Sequence, residues 1–442
     1  MRTCDHHSHL GLRSVRPTTL CHAATAIFVA LATVGFHLHL NTTRINLNPA
    51  DLAVATILPL AITLAWRARS ALVTIPHEAR LFWLSLALVT VALAVAFIVG
   101  VRVVGFQKWA IFNRLIGWGV LMSYVFVIWS LLMHSPTWLN LLRIYLMTIV
   151  AITLAWFIYN AGEIATNIWY LTDLEYERLQ PVPSPTQDRN AFALILLQAV
   201  AVAMGLLLVE RGVRWRCILF AAVLVLLVAV VGTGSRAALA SMIVVAIVYA
   251  LARVRWTRCR VVVVTSSALL LAGTFLFLAA DRIDANAIID VYRSAAFAGS
   301  ADIESKLAGF SGSDQKRLTG LLSALRQYSE SPWTGIGLGT FLTRQVLAGG
   351  PDLVIHNSFA WMLVELGPLG LLSFGGLFGL SGVVFVRNRR DPAGLIGLLT
   401  LTNFAVFALV HDVLYQRHFW ILFCLCFAVV VLPRRMEQTS SA

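Results

Sequence analysis

The sequence predicts an all-α polytopic membrane protein with about 12 transmembrane helices and a large periplasmic helical lid loop. Composition is the first reason, because 59% of the 442 residues are hydrophobic and 12% are charged. A soluble domain of this size could not bury so much apolar surface. Length is the second reason, since apolar stretches of about 20 residues recur along the chain and each can cross a hydrocarbon core roughly 30 Å thick.

The predicted spans divide the chain into three parts. Residues 1–280 contain membrane helices 1–9, residues 281–356 form a periplasmic loop with amphipathic helices, and residues 357–442 contain membrane helices 10–12. The spans lie near residues 20–38, 50–66, 81–101, 115–133, 138–161, 191–209, 217–232, 237–252, 261–280, 368–386, 393–411 and 418–433.

The distribution of positive charge predicts the orientation, since Lys and Arg concentrate in cytoplasmic loops. With both termini in the cytoplasm, the cytoplasmic segments hold 18 of the 34 Lys and Arg residues but five of the 21 acidic residues. The net charge of +13 is therefore interpreted as a topology signal and not as a nucleic-acid-binding surface. This orientation predicts a multi-pass membrane protein whose long loop lies on the side opposite the cytoplasm.

The long loop contains an amphipathic helix pattern over residues 314–328. Four leucines recur at the spacing i, i+3, i+4 and i+7, and Asp314 is placed to cap the helix. Ser331-Pro332 ends the pattern, and the three glycines that follow predict a tight connection. A helix with one apolar stripe at this position predicts a lid on the membrane surface. The leucines are Leu318, Leu321, Leu322 and Leu325, and the glycines are Gly335, Gly337 and Gly339.

The segment Gly232-Thr-Gly-Ser-Arg236 joins the seventh and eighth predicted spans. Its glycines allow a tight reversal, and Ser235 is a residue type that caps helix N-termini. Such a helix start presents free N–H groups, and the guanidinium of Arg236 can bind phosphate oxygens bidentately. We therefore interpret Arg236 as a phosphate ligand. The alternative is an interfacial arginine that extends to water.

Three further positions outside this turn are candidate site residues. His356 closes the polar loop, and its neutral imidazole can accept a proton at physiological pH. Arg317, on the amphipathic helix, is a second candidate phosphate ligand. Near the last external turn, Asp412 could orient a histidine or neutralise an arginine. The alternatives are an interfacial polar residue for His356, a solvated helix face for Arg317 and a short charged turn for Asp412.

Motifs for other phosphate chemistry are absent from the sequence. It contains no GxxxxGK[ST] loop, no HExxH, no GxSxG and no membrane Asp-Asp pair suited to magnesium. One histidine and two arginines instead predict acid–base and electrostatic catalysis on an anionic, phosphate-bearing substrate. We expect no metal and no cofactor.

Together these motifs resemble the O-antigen ligase family. The most specific part is the glycine-rich stretch that begins at Pro332. A separate motif after the acidic residue Glu365, Gly367-Pro-Leu-Gly370, departs mildly from the Gly-Leu-Leu-Gly that is usual in the family. The matching stretches are Thr233-Gly-Ser-Arg236, Arg317, Ser331-Pro-Trp-Thr-Gly-Ile-Gly-Leu-Gly-Thr-Phe341, His356-Asn357 and Glu365-Leu-Gly-Pro-Leu-Gly370.

The resemblance implies a helical bundle with a periplasmic lid over a lipid-open cavity. It implies metal-independent, inverting transfer of a glycan from undecaprenyl diphosphate to a lipid A–core hydroxyl. Arg236 and Arg317 would hold the diphosphate, and His356 would be the general base. We assign supporting roles to Ser235, Asn357, Asp412 and Arg417.

Three other functions remain open at this stage. An O-antigen or exopolysaccharide polymerase and a protein O-oligosaccharyltransferase would use the same donor with a different acceptor. A membrane transporter belongs to another class and predicts interrupted helices in repeated halves. The sequence shows no such repeat, and its polar residues concentrate on one side of the predicted membrane.

Overall fold

The computed structural model describes most of the helical part of the chain. The described residues are 27, 31–32, 36–40, 43–67, 76–134, 138–172, 188–253, 312–347 and 354–432. They are almost entirely helical, which confirms the predicted all-α class for the bundle. A short antiparallel hairpin precedes the first described long helix, and in it Phe36 pairs with Leu47.

The first described elements lead from this hairpin into the bundle. A π-helical segment continues directly into the third α-helix, so the two form one apolar stretch. The elements are β1 (Phe36–Leu40), β2 (Thr43–Leu47), α1 (Pro49–Arg67), α2 (His77–Val104), the π-helical segment (Ala110–Ile116), α3 (Gly117–His134), α4 (Trp138–Tyr159) and α5 (Ala161–Thr172).

The later elements include both of the helices that flank the predicted phosphate-binding turn. They are α6 (Arg189–Leu206), α7 (Val213–Gly232), α8 (Arg236–Arg253), α9 (Gly312–Tyr328), α10 (Thr340–Leu347), α11 (Ser358–Arg387), α12 (Pro392–Ala408) and α13 (Arg417–Val431). Helix α12 begins sharply because Pro392 stands at its start and the Asp391 carboxylate accepts from the N–H of Ala393 at 3.0 Å.

Seven apolar helices in the described part of the chain are long enough to cross a membrane. Three shorter apolar helices, α1, α12 and α13, also coincide with predicted spans. Two of the predicted spans do not correspond to any of these ten helices. The span near 261–280 lies outside the described residues, as does most of the span near 20–38, whose last positions belong to β1.

Helix α6 lies at the centre of the bundle, packed against α7, α12 and α4. Its residues Phe192, Leu196 and Ala203 are completely buried, as expected for a helix that is apolar on every face. Helix α13 adds an aromatic layer, in which Phe419 stacks on Phe404 with ring centroids 4.0 Å apart. Tight aromatic packing of this kind stabilises the association of helices inside a membrane, where the hydrophobic effect does not drive helices together.

The amphipathic helix is present as α9 and packs against α11. It begins at Gly312, two residues before the predicted cap, so Asp314 lies in the first turn and not at the N-cap. Leu322 on the predicted apolar stripe is buried. The predicted role of this region as a lid stays a prediction, because residues 254–311 and 348–353 lie outside the described part of the chain.

The glycine-rich stretch between α9 and α10, residues 331–339, packs between two membrane helices, and we call it the docking segment. Ile336 donates its N–H to Val364 of α11 at 2.8 Å, and Leu338 donates to Ala96 of α2 at 2.8 Å. Gly335 and Gly337 have φ of 70° and 95°, which L side chains rarely adopt. The predicted tight connection is confirmed, and its backbone contacts explain why the segment needs glycine.

Helix α11 is kinked where the docking segment meets it. Gly367 has φ 70° and ψ −170°, so helical geometry is interrupted just before Pro368. A Cβ on Gly335 would lie 2.5 Å from the Gly367 nitrogen. Buried Glu365 accepts from the Gly339 N–H at 3.0 Å and from the Trp361 indole at 2.8 Å. Gly367-Pro368 is therefore a kink that receives the docking segment.

Candidate functional site

Three helices begin close together on one side of the bundle. Asp188 caps α6 by accepting from the Asn190 N–H at 2.8 Å. Ser235 precedes α8 and accepts from the Ala238 N–H at 3.3 Å, after a turn in which Gly234 has φ 64°. Asn357 caps α11 by accepting from the Ala360 N–H at 2.9 Å. The positive ends of three helix dipoles therefore lie near one another.

Polar side chains connect these helix starts. The Ser235 hydroxyl donates to Oδ1 of Asn190 at 2.7 Å, which ties α8 to α6. The Asn357 amide donates to the Leu409 carbonyl at 2.8 Å, which ties the start of α11 to the segment after α12. The Ser358 hydroxyl donates to the carbonyl of His411 at 3.0 Å. Ser235 and Asn357 thus fix the relative positions of the helix starts.

A cleft opens between the starts of α6 and α8 and helix α9. It encloses about 310 Å³ of space, part of it open to solvent, and its charged lining includes Arg236 and Arg317, which the sequence analysis proposed. Arg189 and His411 also line it. Three guanidinium groups beside helix N-termini form a site suited to an anion with several oxygens. The complete lining is Arg189, Asn190, Arg236, Ala237, Arg317, Val410 and His411.

His356 stands beside this cleft in a parallel stack with His411. The two ring centroids are 5.9 Å apart and the ring planes differ by 11°. Nε2 of His411 pairs with Oδ2 of Asp188 at 2.7 Å. Nδ1 of His356 and Nδ1 of His411 are buried and have no hydrogen-bond partner among the described residues. The cluster thus combines a histidine paired with a carboxylate and a second histidine stacked on it, and each ring has one nitrogen without a partner among these residues.

The surroundings move the pKa values of the two histidines in opposite directions. Burial, the positive charge of His411 and that of Arg317 lower the pKa of His356 to about 4, although Asp412 and Asp188 oppose this. Burial also lowers the pKa of His411, but the hydrogen bond and charge of Asp188, together with Asp412, raise it above its usual value. At neutral pH, His356 is therefore the unprotonated member of the pair.

Asp412 and Arg417 make ion pairs that point to structural roles. Asp412 pairs with buried Arg114 of the π-helical segment at 2.7 Å. Arg417 pairs with Asp51 of α1 at 2.8 Å. Neither side chain belongs to the cleft lining. Of the two roles considered for Asp412, the structure favours neutralising an arginine, although that arginine is not Arg417.

Buried Arg114 is also surrounded by aromatic rings. Its guanidinium carbon lies 4.9, 4.5 and 4.9 Å from the ring centroids of Trp109, Trp361 and Tyr415. These cation–π contacts and the bond to Asp412 hold the segment that carries His411 against the π-helical segment. π-Helical insertions often occur near functional sites, which suits this position beside the cleft.

Sequence reasoning did not select Asp188, Arg189, His411 or Arg114 as site residues. One signal was available, because Asp188-Arg189 repeats the cap-then-cation pattern of Ser235-Arg236 at the start of another helix. His411 is adjacent to Asp412, yet only the fold brings it to Asp188. Arg114 lies inside an apolar span and carries no local pattern that indicates its partner.

Comparison with known families finds a match for the part of the chain that supplies two of the cleft arginines, Arg236 and Arg317. Residues 220–375 match a family described as O-antigen ligase. The recognition made from the sequence is confirmed over these residues. A search of curated proteins finds no match. The matched region contains Ser235, Arg236, Arg317, His356 and Asn357, whereas Asp188, Arg189, His411, Asp412 and Arg417 lie outside it.

The match and the helices together support a broad class for the protein. A family of O-antigen ligases implies lipid-linked glycans and lipid-anchored acceptors as substrates in general. Seven apolar helices among the described residues are long enough to cross a membrane, and with the match they suggest a multi-pass bacterial membrane protein. The match over residues 220–375 supports a membrane enzyme of the glycosyltransferase-like ligase and polymerase type.

Proposed function

We propose that this protein is an inner-membrane O-antigen ligase. It transfers a glycan from undecaprenyl diphosphate to a hydroxyl of lipid A–core on the periplasmic side of the membrane. The observation that carries the proposal is the cleft in which Arg189, Arg236 and Arg317 converge beside the unprotonated His356. The match of residues 220–375 to O-antigen ligases supports the same chemistry.

The arginines bind the diphosphate of the donor. Arg236 is the first residue of α8 and lines the cleft. Its guanidinium and the free N–H groups of the helix start can both bind the phosphate oxygens of one ligand. Arg317 reaches the cleft from α9, and Arg189 reaches it from the start of α6. Because their charges are fixed before the donor arrives, they stabilise the negative charge that grows on the diphosphate as it leaves.

His356 removes the proton from the acceptor hydroxyl. The acceptor oxygen forms a bond to the anomeric carbon while the bond from that carbon to the diphosphate oxygen breaks. The bonding electrons leave with undecaprenyl diphosphate, and the acceptor proton is transferred to His356. Attack on the face opposite the leaving group inverts the anomeric carbon. No step in this scheme draws on a metal or a cofactor.

The supporting residues hold this arrangement in place. Ser235 ties the Arg236 helix to Asn190, and Asn357 ties the segment of His356 to Leu409. Asp412 anchors the loop of His411 through Arg114, and Arg417 anchors the last helix to Asp51. Helix α9, the part of the predicted periplasmic loop that brings Arg317 to the cleft, covers the loaded donor in this proposal. Both termini are cytoplasmic.

Deletion of the gene tests the proposed reaction and separates it from the alternatives. A ligase deletion leaves long glycan chains on the lipid carrier and lipid A–core without them. A polymerase deletion leaves single repeat units, and loss of glycan from proteins indicates a protein O-oligosaccharyltransferase. Accumulation of long carrier-linked chains, reversed by the wild-type gene and not by a His356→Ala gene, is the result expected. Normal lipopolysaccharide in the deletion strain contradicts the proposal.

A further inference from the structure

Protonating both His356 and His411 at the same time costs electrostatic free energy, because it makes two neighbouring rings cationic. Their rings are parallel and 5.9 Å apart, so two positive charges would repel each other in a partly buried site. The pair therefore titrates as a unit in which one ring is charged and the other is neutral. Which ring holds the proton depends on the groups that face each of them.

The charged groups around the pair assign the proton to His411. Asp188, at the start of α6, pairs directly with Nε2 of His411 at 2.7 Å. Arg317 of α9 disfavours a proton on His356, while Asp412 favours a proton on either ring. Arg189 and Arg236 line the same cleft and add to its positive charge. Nδ1 of His356 is buried and has no partner among the described residues, so no acceptor there stabilises a proton on this nitrogen.

We propose that His411 is a positioning residue that, held as the imidazolium by Asp188, keeps His356 unprotonated and links its basicity to the anionic donor. This inference rests on the proposed role of His356 as the general base. In the empty cleft, the positive charges make His356 a weak base. A diphosphate bound among the arginines and His411 offsets those charges, so His356 becomes more basic when the donor is present. The base is thus activated where the substrate is already bound.

The proposal has a pH dependence with a defined sign. His356 accepts the acceptor proton only when unprotonated, so transfer is lost as the pH falls through the pKa of His356. In the empty protein that pKa is about 4. Removing the charge from His411 removes a positive neighbour, so the pKa of His356 rises and the acidic limb of the activity profile moves to higher pH.

Histidine resonances provide a test that does not depend on activity. The full-length protein in detergent, labelled at histidine Cε1, is titrated with and without inorganic pyrophosphate as the probe. Single substitutions assign the resonances of His356 and His411. We expect His411 to be charged at neutral pH, His356 to be neutral, and pyrophosphate to raise the pKa of His356. A charged His356 beside a neutral His411 overturns the proposal.

Two variants remove the effect of His411 in different ways. Asp188→Asn removes the carboxylate while Asn remains a good N-cap, so α6 should be kept intact. His411→Phe keeps a flat ring in the stack without a charge. His411→Phe should move the titration of His356 and the acidic limb of transfer upward by roughly one pH unit or more. Asp188→Asn should move them upward by less, because it also removes a negative charge that raises the pKa of His356. The exposed His77→Gln is the control and should move neither. A lower plateau with an unmoved limb in both variants contradicts the proposal.

The outcomes also separate this inference from the proposed function. If His356→Ala transfers glycan like the wild type, His356 is not the base and the proposed mechanism is wrong, whatever the titrations show. If His356→Ala is inactive but the His356 titration is the same in wild type, Asp188→Asn and His411→Phe, the base stands and the role of His411 is refuted.

Discussion

At the level of single residues, the candidate site is a group of cations arranged around one neutral imidazole. Arg189, Arg236 and Arg317 line the cleft, and His356 lies next to it with a pKa of about 4. An enzyme that cleaves a glycosyl diphosphate needs both parts, because the leaving group is anionic and the attacking hydroxyl must lose a proton.

His356→Ala should abolish most glycan transfer while leaving the fold and donor binding intact. Loss of a general base typically reduces the rate by about 10²–10⁴-fold, so weak residual transfer is expected. The measurement is single-turnover transfer by purified protein, with His77→Ala as the control because His77 is exposed and remote in sequence from the cleft. Transfer close to the wild-type rate would refute the assignment of His356.

Arg236→Lys should be clearly impaired although it keeps the positive charge. Lysine lacks the planar fork of donors that binds two phosphate oxygens at once, so we expect roughly a tenfold or greater loss of affinity for undecaprenyl diphosphate. Carrier binding to the purified variant measures this. Arg390→Lys, at an exposed position after α11, is the matched control. Equal binding by both variants would mean that Arg236 contributes only a charge.

At the level of elements, the glycine-rich docking segment sets how α9 joins the bundle. Its backbone bonds to Ala96 of α2 and to Val364 of α11, and it enters the kink at Gly367. The glycines of this segment therefore serve packing. By joining α2 and α11, the segment fixes the end of the helix that brings Arg317 to the cleft.

Gly337→Ala should destabilise the protein. The φ of 95° is strained for alanine, and its Cβ would meet the backbone of Gly100 on α2. We expect a loss of about 1–3 kcal/mol or more, measured as a lower thermal midpoint in detergent. Gly375→Ala in α11 is the control, because a Cβ there meets nothing within 4 Å. Equal midpoints for the two variants would contradict the docking role.

Asp412→Ala should also destabilise the protein, because it leaves the buried Arg114 without its counterion. Removing one partner of a buried pair costs about 3–5 kcal/mol. The control is Glu330→Ala. Glu330 pairs with Arg344 at 2.7 Å, and both side chains are partly exposed. Loss of this pair should cost at most about 1 kcal/mol. Thermal denaturation in detergent distinguishes the two. A small effect of Asp412→Ala would mean that Arg114 does not anchor this loop.

Local patterns predicted the elements and part of the site. The turn before Arg236 and the helix that carries Arg317 each follow from a few consecutive residues, and both are present in the structure. The His411–Asp188 pair could not be predicted in this way. It joins residues more than two hundred positions apart, and only the packing of α6 against α12 brings them together.

At the level of the whole molecule, a bundle of apolar helices holds a polar cleft at the starts of two of them. Helices α6 and α8 contribute their first residues to the cleft lining, so the backbone itself favours an anion there. The same bundle would keep a polyprenyl chain in lipid while its diphosphate reaches the arginines. This arrangement fits a transferase that works on lipid-linked substrates at the membrane surface.

The central claim is that the arginine cleft binds the diphosphate carrier and that the protein transfers its glycan. Single-turnover transfer by purified protein in EDTA, measured together with binding of undecaprenyl diphosphate, tests it most directly. The wild type should bind the carrier and transfer glycan in chelator, since arginines supply the stabilising charge. An Arg236→Ala/Arg317→Ala double variant should do neither. If the double variant binds carrier and transfers glycan like the wild type, or if the wild type needs added Mg²⁺ or Mn²⁺, this mechanism is wrong.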